Sequence, residues 1–238
     1  MSDIYDQDGL RSVHNHEFML DNDFLRAYTR GVRAVGIDYR WHWRVHTGLW
    51  AASVAAKLSG DFVECGVNRG FMSTAIMEFL DWNTLGRDFY LLDTFHGVDL
   101  RFISADDVKI GVVERNRRDI ESGFYTFDVD AVRKNFAEWQ RAKIIVGSIP
   151  ETLPQVLSER IAFIHLDLNC SQPEVAAADF FWDKLVPGGL ILLDDYAYVG
   201  YRSQKIGMDS FAKSKSLSIL SLPTGQGLLI KPSVCQGG

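Results

Sequence analysis

Residues 60 to 70 read "GDFVECGVNRG". Gly60-Asp61 closes a helical run, and Phe62, Val63 and Cys65 form a short apolar strand with Glu64 inside it. Gly66 and Gly70 bracket a turn, and a new helical pattern starts at Phe71. Strand, glycine turn and helix N-terminus in that order suit a nucleotide-like ligand. Glycine lets the backbone approach it, and the first free N–H groups of the helix point toward it.

Outward from that stretch the chain alternates strand and helix. Strands are predicted at Phe62–Cys65, Asp88–Asp93, Lys143–Gly147, Ile161–Asp167 and Leu190–Asp195, with helices between them. The run Ile161–Asp167 is almost wholly apolar, as in a strand buried on both faces. "LSILSL" and "GLLIKP" around "PTGQ" make a closing antiparallel hairpin. The expected fold is α/β: a Rossmann-like, doubly wound sheet of seven strands, mostly parallel, with helices on both faces. Residues 1–59 are read as an N-terminal helical extension or cap, with helices at Asp21–Val35 and Tyr39–Leu58, and 60–238 as the ligand-binding domain. The first 20 residues carry no clear periodicity. The second helix, aromatic and basic in its first half, is expected on the sheet edge or in a dimer interface. "SQPE" at Ser171–Glu174 reads as a capping box for a helix to Leu185, and "PGG" as its end. Thr94–Phe127 is a long charged run. Loops beyond about 12–15 residues are uncommon unless functional, so it is read as a lid.

The bulk numbers narrow the class. With 238 residues, 47% apolar and 24% charged, the chain has an ordinary globular composition. A net charge of -6 argues against a nucleic-acid binder. Cys65, Cys170 and Cys235 lack metal-site spacing, so a reducing compartment is the default. The acidic start "MSDIYDQDGLRS" is not a signal peptide, and no apolar run nears the roughly 18 residues of a membrane span. A cytoplasmic protein with no membrane partner is expected.

In an open parallel sheet ligands bind beyond the carboxyl ends of the strands, and these ends are acidic. Asp93 ends one strand, where a carboxylate receives ribose hydroxyls of NAD or S-adenosylmethionine alike. Asp167, Asp194 and Asp195 end two others. Adjacent strand tips lie about 5 Å apart, and three carboxylates there repel unless protonated or holding a cation. Oxygen ligands favour Mg²⁺ or Ca²⁺. One Asp on ligand, one on backbone and one solvated is the plain alternative. His165 reads as a packed core residue, His96 as an acid–base candidate, and His42 and His46 as a packed face one helical turn apart. Cys170 reads as a small pocket residue. A nicotinamide-dependent oxidoreductase would need a third glycine, and the Tyr201/Lys205 spacing lacks its helix context.

Several blocks together resemble the macrocin O-methyltransferase (TylF-like) group of class I S-adenosylmethionine-dependent methyltransferases. They are "GLWAASVAAKLSGDFVECGVNRG", "LLDTFHGV", "VRKNF", "VGSIPETLP", "IHLDLN" and "LVPGGLILLDDY". The resemblance implies Mg²⁺-assisted methyl transfer to a hydroxyl of a sugar or glycosylated small molecule; a homodimer or larger homo-oligomer is expected beside it. It sets Glu64, Gly66 and Gly70 against the methionine portion of the cofactor, with Cys65 and Ser73 beside them. Asp93 and Thr94 go to the ribose, Ser148 near the adenine and Asp167 beside the cofactor. Asp167, Asp194 and Asp195 become metal ligands. Independently of the resemblance, the three-aspartate cluster motivates Asp194 as the proton acceptor. One departure stands out: the family's "DxDxY" pattern is here Asp167-Leu168-Asn169-Cys170-Ser171. Asn169 cannot accept a proton, which keeps open a cofactor-binding relative with impaired catalysis and a regulatory or assembly role.

Overall fold

The computed structural model describes residues 4–233, so Cys235 lies outside the described residues. The chain begins with a hairpin, β1 (Tyr5–Gln7) and β2 (Leu10–Ser12), joined by Asp8-Gly9. Both turn residues have positive φ, 50° and 71°, the geometry that Asp-Gly favours in a two-residue hairpin loop. An ordered hairpin thus replaces the segment without periodicity.

Helix α1 (Asn22–Val35) starts where Asp21 accepts hydrogen bonds from the Asp23 and Phe24 N–H groups, and stops at left-handed Gly36. Helix α2 spans His42–Ala55, starting later than the sequence suggests. Then follow β3 (Asp61–Cys65), α3 (Phe71–Phe79), β4 (Phe89–Asp93), α4 (Ala105–Lys109), α5 (Val112–Glu121), α6 (Val129–Asn135) and β5 (Ala142–Val146). The second half holds β6 (Ile161–Leu166), α7 (Ser171–Trp182), β7 (Leu185–Leu193), α8 (Arg202–Ser214), β8 (Leu220–Ser221) and β9 (Gly227–Ile230).

The seven-stranded sheet runs β5-β4-β3-β6-β7-β9-β8. Strands β3 to β7 pair in parallel, and β9 pairs antiparallel with both β7 and β8. Strand alternation divides the core between the two faces. Phe62, Leu91, Phe163 and Leu192 look toward α1, α2 and α3, whereas Val63, Leu92, Ile164 and Leu193 look toward α7 and α8. Phe24, Ala27, Val45 and Leu49 share the first cluster with the sheet, so residues 22–55 belong to one continuous core. Helix α2 lies against the sheet face. A Cβ on Gly48 would meet Met72 and Leu192.

Three local readings change. Thr94–Phe127 holds two helices: Ser104 and Asp107 form a capping box for α4. Helix α7 ends at Trp182, and "PGG" lies inside β7. Its N-cap is Cys170, and Glu174 is fully buried, accepting a hydrogen bond from Gln204 Nε2 at 2.7 Å instead of reaching back to the cap.

Candidate active site

The chain lays β3, β4 and β5 in one direction and then returns to place β6 on the other side of β3. That reversal opens a crevice at the tips of β3 and β6. Gly66 lies in it with φ 92°, and a Cβ there would collide with the Asp167 backbone. Gly70, φ 89°, caps α3 with its Cβ side against Phe136.

Asp93 organises the turn. Its Oδ2 accepts the N–H groups of Val67 and Asn68 at 2.8 and 2.7 Å, and Oδ1 accepts that of Phe95 at 2.7 Å. Burial raises its pKa against these amides. Thr94 donates to the Gly97 carbonyl at 2.6 Å. Asn68 ties the turn to the end of the 94–127 segment, donating to the Phe124 carbonyl at 2.9 Å and accepting from Thr126 N–H at 3.0 Å. The Ser148 hydroxyl bonds Asp99 and lies 3.3 Å from Arg101 Nη2. Cys65 and Ser73 are fully buried and border none of the cavities at the strand tips.

Glu64 and His165 face each other in the β3/β6 ladder. His165 Nδ1 lies 2.8 Å from Glu64 Oε1, and its Nε2 lies 3.5 Å from Asp194 Oδ1. Burial opposes a charged imidazole, but Asp194 and Glu64 outweigh it, and the His165 pKa is pushed up to about 10. This core histidine is therefore an ion-paired bridge. Glu64 Oε2 is buried without a partner, and Glu64 borders a cavity with Gly66, Asp93 and Asp167.

The three rim aspartates do converge: one carboxylate oxygen from each of Asp167, Asp194 and Asp195 lies within 4.8 Å of the others. Their commitments differ. Asp194 Oδ2 is held by Arg44 Nη1 at 2.5 Å, and its Oδ1 by Gln226 Nε2 at 3.1 Å. Burial alone would raise its pKa, but the Arg44 charge holds it below the usual carboxylate range. Burial and the Asp194 charge push Asp167 and Asp195 up. Asn169, left-handed at φ 59°, donates to Asp167 at 3.2 Å.

A cavity of 800 Å³ opens over this rim. Trp41, Tyr198, Tyr201, Phe124 and Tyr125 supply aromatic wall, and Arg115 and Arg118 of α5 supply charge. Two smaller cavities flank Asp93. Tyr125, Asp167 and Asn169 border all three, and Trp41, Arg44, Phe124 and Asp194 are shared by the large cavity and the one beside Glu64.

Sequence reasoning missed Arg44, Asp8, Gln226 and Tyr125. Asp8 had a signal, the Asp-Gly dipeptide, and Tyr125 lies inside the run read as a lid; Arg44 and Gln226 are brought in by distant pairing. The remaining candidates recede. His42 stacks on Tyr28 and His46 on Phe18. His96 is exposed against Phe127. Burial pushes the Cys170 thiol up. Lys205 is spent on Asp209 and Tyr196, away from Tyr201.

A reversed final hairpin on a five-stranded parallel sheet, with an acidic rim at the switch point, defines the methyltransferase type of Rossmann-like fold. Two solved structures share it: the O-methyltransferase NovP (TM-score 0.71, 18% identity, covering 92% of this chain and 100% of that one) and the calicheamicin methyltransferase CalS11 (TM-score 0.62, 15% identity, 88% and 93%). The chain belongs to the macrocin O-methyltransferase (TylF) family, whose profile matches residues 47–218. It is also 29% identical over 153 residues to the 8-demethyl-8-(2,3-dimethoxy-alpha-L-rhamnosyl)-tetracenomycin-C 4'-O-methyltransferase of Streptomyces olivaceus. That match spans 60% of this chain and 56% of the relative. Among the described residues no helix is long and apolar enough to cross a membrane.

Proposed function

We propose that this protein is an S-adenosylmethionine-dependent O-methyltransferase that methylates a hydroxyl of a sugar or glycosylated small molecule, assisted by a divalent cation such as Mg²⁺. The observation that carries the reading is the shared boundary at Asp167, Asn169 and Tyr125 between the glycine-turn cavity and the 800 Å³ cavity. It sets a cofactor space and an acceptor space against each other at the strand tips. The rhamnosyl O-methyltransferase relative supports a sugar acceptor.

The cofactor fits the residues present. The unpartnered Glu64 Oε2 is an anionic acceptor awaiting an ammonium group, since a buried polar atom without a partner is costly. Gly66 leaves room for the methionine portion. Asp93 keeps the turn in place, and its remaining lone pairs are offered to the ribose hydroxyls, with Thr94 beside it. Ser148 stands near the adenine end. When bound, S-adenosylmethionine supplies an electrophilic methyl group on a sulfonium. Of the three rim aspartates, Asp167 and Asp195 offer the less committed hard oxygen donors of the kind Mg²⁺ takes, with Asp194 beside them, and a cation there lowers the pKa of a bound hydroxyl.

The chain's own part is positioning. The aromatic wall stacks a sugar ring, and the rim orients the reacting oxygen toward Tyr125 and Asn169. Asp194, named from sequence as proton acceptor, is a poor choice because Arg44, Gln226 and His165 already occupy its oxygens. The proton is assigned instead to the less committed oxygens of Asp167 and Asp195. From the N-terminal stretch, Asp8, Trp41 and Arg44 border the large cavity and serve as its cap, and a homodimer or larger assembly remains part of the proposal.

Calorimetry with S-adenosylhomocysteine and NADH, followed by transfer of labelled methyl to TDP-rhamnose and simple rhamnosides, tests it. Tight S-adenosylhomocysteine binding with no NADH binding is expected; the reverse would overturn the reading. Binding without transfer to any sugar would favour the impaired-catalysis reading that Asn169 suggests.

A further inference from the structure

Arg44 is the side chain around which the acidic rim is arranged, although it comes from a helix on the sheet face and not from a strand tip. It is 4% exposed. Its Nη1 reaches the Asp194 carbonyl at 2.8 Å and Oδ2 at 2.5 Å, and lies 3.8 Å from Asp195 Oδ1. Nη2 donates to the Thr224 carbonyl at 3.3 Å, and Nε to Asp8 Oδ2 at 3.1 Å. Arg44 Cζ lies 5.0 Å from the centroid of the Tyr198 ring. One side chain thus joins the first hairpin, α2, the tip of β7 and the last hairpin.

Asp8 is its clamp. The left-handed Asp8-Gly9 turn aims the carboxylate inward, where its side chain is only 6% exposed. One oxygen is on Arg44, and the other lies 3.4 Å from the Tyr198 hydroxyl. The pair borders the 800 Å³ cavity. By contrast, no side chain hydrogen-bonds the Asp195 carboxylate among the described residues; Arg44, at 3.8 Å, is its nearest cation.

We propose that Arg44 is a positioning residue that serves as the rim's fixed cation: it occupies Asp194, limits the charge left for a divalent ion to Asp167 and Asp195, and is held in register by Asp8. The consequence is a deliberately modest metal site. A positive charge beside a cation site weakens cation binding, and a negative charge beyond it restores some of that binding. A lysine keeps the charge but not the five-donor fork, so Arg44→Lys should preserve metal affinity better than it preserves the hairpin.

This inference rests on reading the rim as a metal site, and the test separates the two. Mg²⁺ and Mn²⁺ titrations by calorimetry are run on wild type, Arg44→Gln, Arg44→Lys and Asp8→Asn, with Mg²⁺-induced shifts in melting temperature as a second readout. Arg44→Gln should bind at least about tenfold more tightly, and its melting temperature should gain more from Mg²⁺ than that of wild type. Asp8→Asn should bind about threefold more weakly, and Arg44→Lys should stay within about threefold of wild type. Opposite signs for the Gln and Asn variants are not what a general loosening of the fold gives, since that weakens both. Should Arg44→Gln fail to fold, Asp8→Asn and Arg44→Lys decide the question alone. Metal binding in wild type with Asp8→Asn unchanged or tighter, or with Arg44→Gln unchanged or weaker, overturns the role of Arg44 and leaves the rim site standing. No binding by any variant overturns both.

Discussion

Gly66 and Asp167 sit back to back across the tips of β3 and β6, so close that a Cβ on the glycine would overlap the aspartate's carbonyl oxygen. The contact is backbone against backbone, with no flexible side chain to yield, and the φ of 92° adds strain for any L-residue. Gly66→Ala should therefore displace the rim itself. Expected are a loss of S-adenosylhomocysteine binding in calorimetry and a lower melting temperature. Wild-type affinity would refute the crevice geometry.

Glu64→Gln keeps the shape of the β3/β6 pair but removes one anion from the Glu64–His165–Asp194 chain. If Oε2 awaits the cofactor's ammonium, affinity for S-adenosylhomocysteine should fall about tenfold or more, as for loss of a charge-assisted hydrogen bond of about 1.5–3 kcal/mol. An unchanged dissociation constant would remove Glu64 from the cofactor site.

Asp93→Asn leaves one or two turn amides without an acceptor, because the new NH₂ group cannot receive the Phe95 N–H where it replaces Oδ1, or those of Val67 and Asn68 where it replaces Oδ2. The cost should be about 1–3 kcal/mol of stability, together with weaker cofactor binding, read by urea denaturation and calorimetry. A stability loss without an affinity loss would make Asp93 a turn staple only.

Glu174 gives a pH signature. Burial pushes its pKa up to about 8, above the value of about 4.3 expected unfolded. The folded state therefore holds the proton more tightly, and this group's contribution to stability is present at low pH and lost as pH rises between those values. Glu174→Gln should abolish that slope. Its advantage over wild type should grow by no more than about 1.4 kcal/mol per pH unit up to pH 8, measured as urea midpoints from pH 5 to 8. Parallel curves would exclude a buried proton at this site.

How much was legible follows from the range of each interaction. Apolar runs such as Ile161–Leu166 declare a two-face-buried strand locally, and a carboxylate just beyond such a run marks a strand tip, so the sheet and the Asp167, Asp194 and Asp195 rim were readable. The Asp8 hairpin was harder because its three-residue strands include Asp6, Gln7 and Arg11 and show no alternation. The helices after Thr94 were signalled only by Ser104 and Asp107. Arg44 could not be read at all: its partner Asp194 lies 150 residues on, and nothing in "RWHWRVH" tells a rim cation from an ordinary surface arginine.

Trp41 borders both the 800 Å³ cavity and the cavity beside Glu64, stacked on Tyr39 with ring centroids 4.3 Å apart. Trp82, in contrast, is sealed against Phe62 and Phe89 with no exposure. The protein therefore carries its own optical gauge. Of the six tryptophans, Trp41 alone lines these two chambers, so the part of the emission lost on Trp41→Phe should register filling of either chamber, while Trp82 changes only when the core opens.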